Sequence, residues 1–532
     1  MNIYRHLTSV FAALPQMTRP LSFAGGLGLL LVLPAYSPAQ TTTALAPAVD
    51  TAAAAKPKPE AKPVAKPAAV KPIKIGGLTL SGSIRARWEN TDWFASDKAD
   101  GSYNFGAVVL RASLSQSKEK YDWQVEAEAP LLINLPTTAI APAPQGQLGL
   151  GASYFGANGK QDGSVLLKQG FIRFKGLFGD QKSSLRLGRF EFNDGTETTP
   201  GDPALAAIKA TRISQRLIGV YGFSHVGRSF DGINYVRNAK AGNFTFVGAR
   251  PTKGAFQLNG NAEMDIDFYY GAFTRPVKHK TGESEFRVFG LYYHDGRNVL
   301  KTDNRATATR TADHANIRVT TLGGHYIGVT KAGKGKADFL VWGVGQIGSW
   351  GRLDQRSGAI AVEAGWQPTG KTLPTLRPWF RAGYFRSTGD DNAGDGTHKT
   401  FFQVLPTPRV YARFPFFNMM NNEDAFGELI VRPRQTLSFR ADLHHLRLSR
   451  AQDLWYSGGG AFQNKTFGYS GRPANNQRNL GWLADVSADW NVAARTTITL
   501  YLAGSFDGAV QKAIYPLGNH ARYGYLELTQ RF

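Results

Sequence analysis

From Leu78 to the last residue the chain keeps a period of two, and the polar half of that period carries charge. In LTLSGSIRARW (78–88), Leu78, Leu80, Ile84, Ala86 and Trp88 share one face of an extended strand; Thr79, Ser81, Ser83, Arg85 and Arg87 share the other. DWQVEAEA (122–129) sets Trp123, Val125 and Ala127 against Gln124, Glu126 and Glu128. NLGWLADVSADW (479–490) sets Leu480, Trp482, Ala484, Val486 and Trp490 against Asp485, Ser487 and Asp489. In a soluble sandwich the charged faces would need partners in a dry core. A closed sheet in a membrane removes the conflict, because its apolar face meets lipid and its polar face lines a lumen.

The connections point the same way. Short polar turns at 117–121, 179–183, 238–242, 331–336, 433–435 and 492–495 alternate with long connections at 89–104, 132–164, 194–230, 297–316, 387–423 and 450–479. A strict short–long alternation is the pattern of a barrel with one periplasmic and one exterior rim. Marked this way, the chain predicts an all-β fold: a transmembrane antiparallel β-barrel of about 18 strands, with both termini on the short-turn rim. The ending RYGYLELTQRF, closing on Phe532, looks like the terminal strand by which bacterial outer-membrane barrels are recognised for insertion.

Ahead of the barrel the chain changes character. Arg5, His6 and Arg19 precede LSFAGGLGLLLVL (21–33), an apolar core short for a bilayer span, and Ser37-Pro38-Ala39 offers small residues for cleavage. Residues 1–39 therefore read as a signal peptide, with a membrane anchor as the alternative. Five Lys-Pro dipeptides between 56 and 72 favour an extended coil, so 40–76 reads as a disordered periplasmic linker and 77–532 as the barrel. Much of the net charge of +22 stays when the residues before Gly76 are set aside, leaving +16. With no cysteine, a disulfide scaffold, a thiolate metal site and a Cys nucleophile are excluded. No cofactor is implied.

On the polar faces one cation recurs: Arg85, Arg87, Arg111, Arg173, Arg189, Arg381 and Arg440, with Glu126, Glu191, Asp442 and Asp485 nearby in parity. Arginine offers a planar fork that matches carboxylates, and a ring of such groups in a low-dielectric wall favours anions. Each arginine taken singly could equally form a salt bridge with a neighbouring acid. His444 shares the parity of Arg440 and Asp442 and is assigned to the same lumen network. In SLRLGRFEFNDG (184–195) the parity switches at Gly188–Arg189. A bulge there would send Arg186, Arg189 and Glu191 to the lumen while Leu185, Leu187, Phe190 and Phe192 face lipid.

Four stretches carry a family resemblance. LRLGRFEFNDG (185–195), VGRSFDGINY (226–235), RADLHHLRLSRAQDLWYSGGGAF (440–462) and LGWLADVSADWNVAARTTITLYLAGSFDG (480–508) are similar to strand motifs of the bacterial alginate-export outer-membrane channels. The resemblance implies an 18-stranded monomeric barrel in the outer membrane, whose electropositive constriction passes an anionic uronate polymer. By position in these motifs it assigns Arg189, Glu191, Arg228 and Asp231 to the lumen. The implied partners are outer-membrane lipid and lipopolysaccharide, an anionic polysaccharide or small anionic solute, and a periplasmic export or uptake component. The Lys-Pro extension and the long aromatic segment 389–426 depart from the family pattern; the latter could fold into the pore, bind a ligand or serve as a lid.

Other readings are weaker. A porin for small solutes differs only in how far the loops close the bore. A barrel enzyme would need Ser229, His225 and Asp231 to converge, and GRSFDG lacks nucleophile-elbow spacing. Asp390, Asp391, Asp395 and Gly396 lack the ligand spacing of an EF-hand. His444 and His445 are adjacent and point to opposite faces of a strand, so they do not share a metal. Nucleic acid would need aromatic and basic residues on one exposed groove, whereas here the aromatics fall mostly opposite the arginines.

Overall fold

The computed structural model describes residues 72–368 and 375–532. The signal segment 1–39 and nearly all of the linker 40–76 lie outside the described residues. At the linker's end, Ile73–Ile75 is a short strand that pairs back on the first barrel strand, Ile73 opposite Leu80.

Eighteen antiparallel strands close into one ring. Consecutive barrel strands pair with one another, and the first, Leu78–Asp92, pairs with the last, Ala521–Arg531, from Ser83 opposite Arg531 to Asp92 opposite Arg522. Closure removes both raw edges of the sheet. At the seam, Gly82 and Phe532 exchange backbone hydrogen bonds of 3.1 and 3.0 Å. The Phe532 ring occupies the space where a side chain on residue 82 would stand.

One rim carries tight turns, such as 240–241, 280–281, 333–334, 435–436 and 494–495. The other carries the long connections 93–101, 134–165, 191–229, 252–265, 296–316, 388–421, 449–478 and 507–520. Gly351 and Arg352 alone join Gly335–Trp350 to Leu353–Pro368 on that second rim, so the short–long alternation is not strict. Both chain ends of the barrel lie on the tight-turn rim, as the alternation predicts.

Parity sorts the side chains. Ile84, Trp88, Leu110, Leu114, Ile360, Val362, Leu500, Leu502, Leu526 and Leu528 stand exposed on the outer wall, the coat that hydrocarbon covers. The inner wall is not simply polar. Tyr270, Tyr293, Trp342, Trp350, Trp379, Tyr501, Tyr523 and Tyr525 point inward and are buried. The expectation that aromatics oppose the arginines therefore fails for much of the ring. The reason is inside the barrel: long connections fold into it and supply an apolar core for those rings to pack against.

The predicted bulge at Gly188 is absent. Strand Ser183–Phe190 pairs with Leu166–Lys175 and Phe230–Ala239 in unbroken register, Gly188 lying between Phe171 and Gly232. Gly188 sits at φ 119°, and a Cβ there would lie 2.4 Å from the Gly170 carbonyl oxygen, which is why the position is glycine. A register shift occurs instead at Leu446/Arg447 opposite Gly481, whose φ of 79° lets the strand step by one residue. The step turns Leu480 inward, 3% exposed, while Trp482 and Val486 remain on the outer wall.

Candidate functional site in the bore

Two connections meet inside the ring. Segment 191–229 carries a helix, Pro203–Ile208, that Asp202 caps by accepting from the Ala204 N–H at 2.8 Å, with proline at the first helical position. Segment 388–421 brings Phe401, Phe402, Tyr411, Phe414, Phe416 and Phe417, all at most 2% exposed. The two are tied by backbone bonds: Leu405 N–H to Leu217 O and Gly219 N–H to Leu405 O, each 2.8 Å, and Thr407 N–H to Gln215 O at 2.9 Å. Tyr411 also donates to Ser214 O at 2.8 Å.

Each connection is fastened to a different wall. Lys209 reaches Glu285 at 2.7 Å, Arg212 reaches both Glu363 oxygens at 2.9 Å, and Arg287 reaches Glu197 at 2.9 Å. These join 191–229 to strands Gly282–Asp295 and Leu353–Pro368. Phe414 packs on Trp93 and Tyr523, and Phe416 on Phe94 and Trp455. The long aromatic segment thus enters the barrel, and its rings explain the inward aromatics of the wall.

The residues singled out in the sequence divide into three groups. Arg85, Arg87, Arg111, Arg173, Arg381 and Arg440 face inward, and each has an acid. Arg85 donates to the Gly222 and Ser224 carbonyls at 2.8 and 2.5 Å and lies 3.8 Å from Glu527. Arg87 pairs with Glu527 at 2.7 Å between the rings of Phe223 and Tyr525. Arg111 gathers Glu128, Glu191 and Glu126 at 2.6, 3.1 and 3.5 Å, so Glu191 does turn inward once its strand has ended. Arg173 holds Asp122 at 2.5 Å. Arg381 bridges Asp338 and Glu363, both at 3.0 Å. Arg440 lies 2.6 Å from Asp442 and 3.1 Å from Glu428. His444 is fully buried against Asp424 at 2.9 Å.

Arg189 and Asp231 form the second group, and their inward assignment is corrected. They sit opposite each other in register and bond bidentately at 2.7 and 2.6 Å. Their parity is that of Leu167 and Ile233, which are 41% and 40% exposed on the outer wall. Phe190 and Phe230, expected to face lipid in the first case, are fully buried inside instead. Without a bulge, Arg186, Gly188 and Phe190 stay on one face, and Arg189 is carried outward.

Arg228 belongs to a third group, which sequence reasoning largely missed. Arg186, Arg228, Arg409 and Arg413 have no carboxylate within salt-bridge reach among the described residues. Arg186 lies over the Phe171 and Phe190 rings at 4.7 and 5.6 Å. Arg228 donates to Gly459 O and lies over Tyr221, with two of its nitrogens unpartnered. Arg409 donates to the Ala412 and Phe417 carbonyls, and Arg413 donates to the Tyr525 hydroxyl at 3.3 Å. Arg409 and Arg413 lie in what reads as a loop, where strand parity gives no signal.

The other sequence readings resolve geometrically. His225 bonds Glu89 at 2.6 Å, Ser229 donates to Lys168 O at 2.6 Å, and Asp231 is on the outer wall, so the three do not converge. Asp391 and Asp395 bind Lys399 at 3.0 and 2.7 Å. On the exterior connections, burial raises the Asp453 carboxyl to about 6, although Thr400 and Tyr456 hydroxyls and the Asp390 N–H donate to it.

Residues 159–513 match the alginate export family. The chain belongs to that family. In fold it resembles solved outer-membrane proteins of Pseudomonas aeruginosa: OpdK (9% identity, 86% of this chain and 98% of that one, TM-score 0.50), OpdK with vanillate (9%, 86% and 98%, 0.51) and OccK2, also called OpdF (10%, 86% and 97%, 0.50). No curated protein sequence matches the chain significantly. This alginate export family barrel is an outer-membrane channel of the bacterial envelope, its outer wall set in lipid.

Proposed function

We propose that this family member passes an anionic polysaccharide or oligosaccharide, of the uronate type, along the arginines of its bore. The observation that carries the reading is a set of four inward guanidinium groups, on the buried Arg228 and Arg409 and the half-buried Arg186 and Arg413, that have aromatic, carbonyl or hydroxyl neighbours and no carboxylate within 4 Å among the described residues. A guanidinium held in low dielectric without a counter-charge attracts a carboxylate far more than one already paired. A chain of sugar carboxylates would supply counter-charges one after another, while the surrounding rings offer faces for sugar rings. The acid-paired arginines Arg85, Arg87, Arg111, Arg173, Arg381 and Arg440 line the same wall and shape the path. The barrel acts as a monomer, with no catalytic step, and movement follows a gradient or a periplasmic partner.

A second reading is favoured by the interlocked segments 191–229 and 388–421, which narrow the bore: a porin for small anionic solutes. Reversal potentials across planar bilayers test the first, with Arg409→Glu and Arg413→Glu as variants. The wild type should be anion-selective and the double variant shifted toward cations; a cation-selective wild type would end the anion reading. Block of the current by oligouronates but not by monomers supports the polymer, and the reverse supports the porin.

A further inference from the structure

Strands Asn422–Arg434, Leu437–Leu448 and Asn479–Ala493 lie side by side, and their register aligns three carboxylates in one inward row. Glu428 is opposite Asp442, and Asp442 is opposite Asp485. Like charges directly opposite on neighbouring strands repel, and burial strengthens the repulsion. All three are at most 6% exposed. The nearest cations do not cover the row. Arg440 reaches Glu428 and Asp442, and Arg381 lies 3.7 Å from Glu428 while also serving Asp338 and Glu363. Asp485 has no ion pair among the described residues, and its buried Oδ2 has no hydrogen-bond partner.

His444 completes the arrangement. It projects inward two residues beyond Asp442, and one ligand atom from each of Asp442, His444 and Asp485 lies within 4.8 Å of the other two. Its Nδ1 is bonded to the Asp424 carboxylate at 2.9 and 3.1 Å, which leaves Nε2, fully buried and without a partner. Asp442 Oδ1 is likewise buried and unpartnered. Asp442 Oδ1, Asp485 Oδ2 and His444 Nε2 are thus all buried without a hydrogen-bond partner in this one cluster, and of the two carboxylates Arg440 pairs only with Asp442, through Oδ2. A carboxylate that orients the far nitrogen of a histidine is the arrangement by which proteins fix a metal-binding imidazole. Phe417 and Phe426 flank the His444 ring at 6.2 and 5.6 Å.

We propose that Asp442, His444 and Asp485 bind one divalent first-row cation, with Asp424 as the positioning residue for His444. Two carboxylates and an imidazole form a mixed oxygen–nitrogen set, suited to Mn2+ or Zn2+ and less to an all-oxygen ion. The cation offsets the acid row, and the inference stands apart from whatever solute the bore carries.

The test uses the full chain, purified in detergent, stripped with EDTA and dialysed. Zn2+ is titrated and counted by elemental analysis, and Mn2+ is followed by loss of the free-ion EPR signal. The wild type should take up one equivalent. His444→Gln and Asp485→Asn should weaken uptake at least tenfold, and Asp424→Asn by about 10–100-fold. Heat-modified migration in gels verifies that each variant is a folded barrel. A folded wild type that takes up neither ion would overturn the site. So would His444→Gln and Asp485→Asn variants that titrate like the wild type.

Discussion

Glu363 is the strongest single anchor of the inward segment, and its replacement gives a sharp test of whether that segment gates the bore. Its carboxylate is 1% exposed and receives Arg212 at 2.9 Å, Arg381 at 3.0 Å and Arg216 at 3.9 Å. Arg381 keeps Asp338 when Glu363 is lost, but Arg212 and Arg216 have no other carboxylate in reach among the described residues. Glu363→Gln preserves shape and removes the charge. Stranding a buried charge by deleting its partner costs about 3–5 kcal/mol. That cost falls on the docked segment rather than on the ring, because the ring's ladder is untouched and a loop can open locally. At about 1.4 kcal/mol per factor of ten, the released state should gain a hundredfold or more in population. In planar bilayers the variant should show large-conductance openings that are at least a hundredfold more frequent than in the wild type. Unchanged conductance and gating in a normally folded Glu363→Gln barrel would refute the reading that 191–229, held by these pairs, narrows the bore. Glu285→Gln, which frees Lys209 from the same segment, should act in the same direction, and the double variant should show less than the product of the two effects.

Other outcomes follow from single positions. Arg189→Ala removes a pair with Asp231 on the outer wall and two bonds to the Leu167 and Asn261 carbonyls, so stability should fall by about 1–3 kcal/mol while the reversal potential does not change; a selectivity shift would return Arg189 to the bore. Gly481→Ala places a Cβ 2.1 Å from the Phe506 carbonyl oxygen at φ 79°, and should lower stability by about 1–3 kcal/mol in urea unfolding. Asp453, raised to about 6 in the fold against about 4 when unfolded, favours its protonated form. Its contribution is therefore greatest below about pH 4 and lost as pH rises through about 6. Limited proteolysis of the exterior connections should be slower at pH 4.5 than at pH 7, and Asp453→Asn should flatten that difference.

What could be read from the residues alone was whatever strand geometry repeats. Period two placed Arg85, Arg87, Arg111, Arg173, Arg381, Arg440 and His444 on the inner wall, and the turns placed both ends on one rim. The reading failed where parity stops being a guide. Gly188 suggested a bulge because a glycine in a strand marks either a bulge or a close backbone neighbour, and one sequence does not say which. The neighbour was the Gly170 carbonyl, so Arg189 and Asp231 went outward. The inward aromatics were assigned to lipid because a ring at an alternating position looks the same whether it meets acyl chains or an internal loop. Arg212, Arg216, Arg409 and Arg413 sit on connections whose path is set by the walls they dock against. The acid row Glu428–Asp442–Asp485 needed the register of three strands, which only the folded ring supplies.

The seam between Gly82 and Phe532 has a kinetic meaning. The ring is locked by residues from opposite ends of the barrel segment, so its last ladder pays the largest loop-closure entropy and closes only after the last strand has been made. Until then, Leu78–Asp92 and Ala521–Arg531 are free strands, each a template for pairing with another chain. Biogenesis of this barrel is therefore a race between joining its own two ends and joining a neighbour's, and Phe532 stands at the finish of that race.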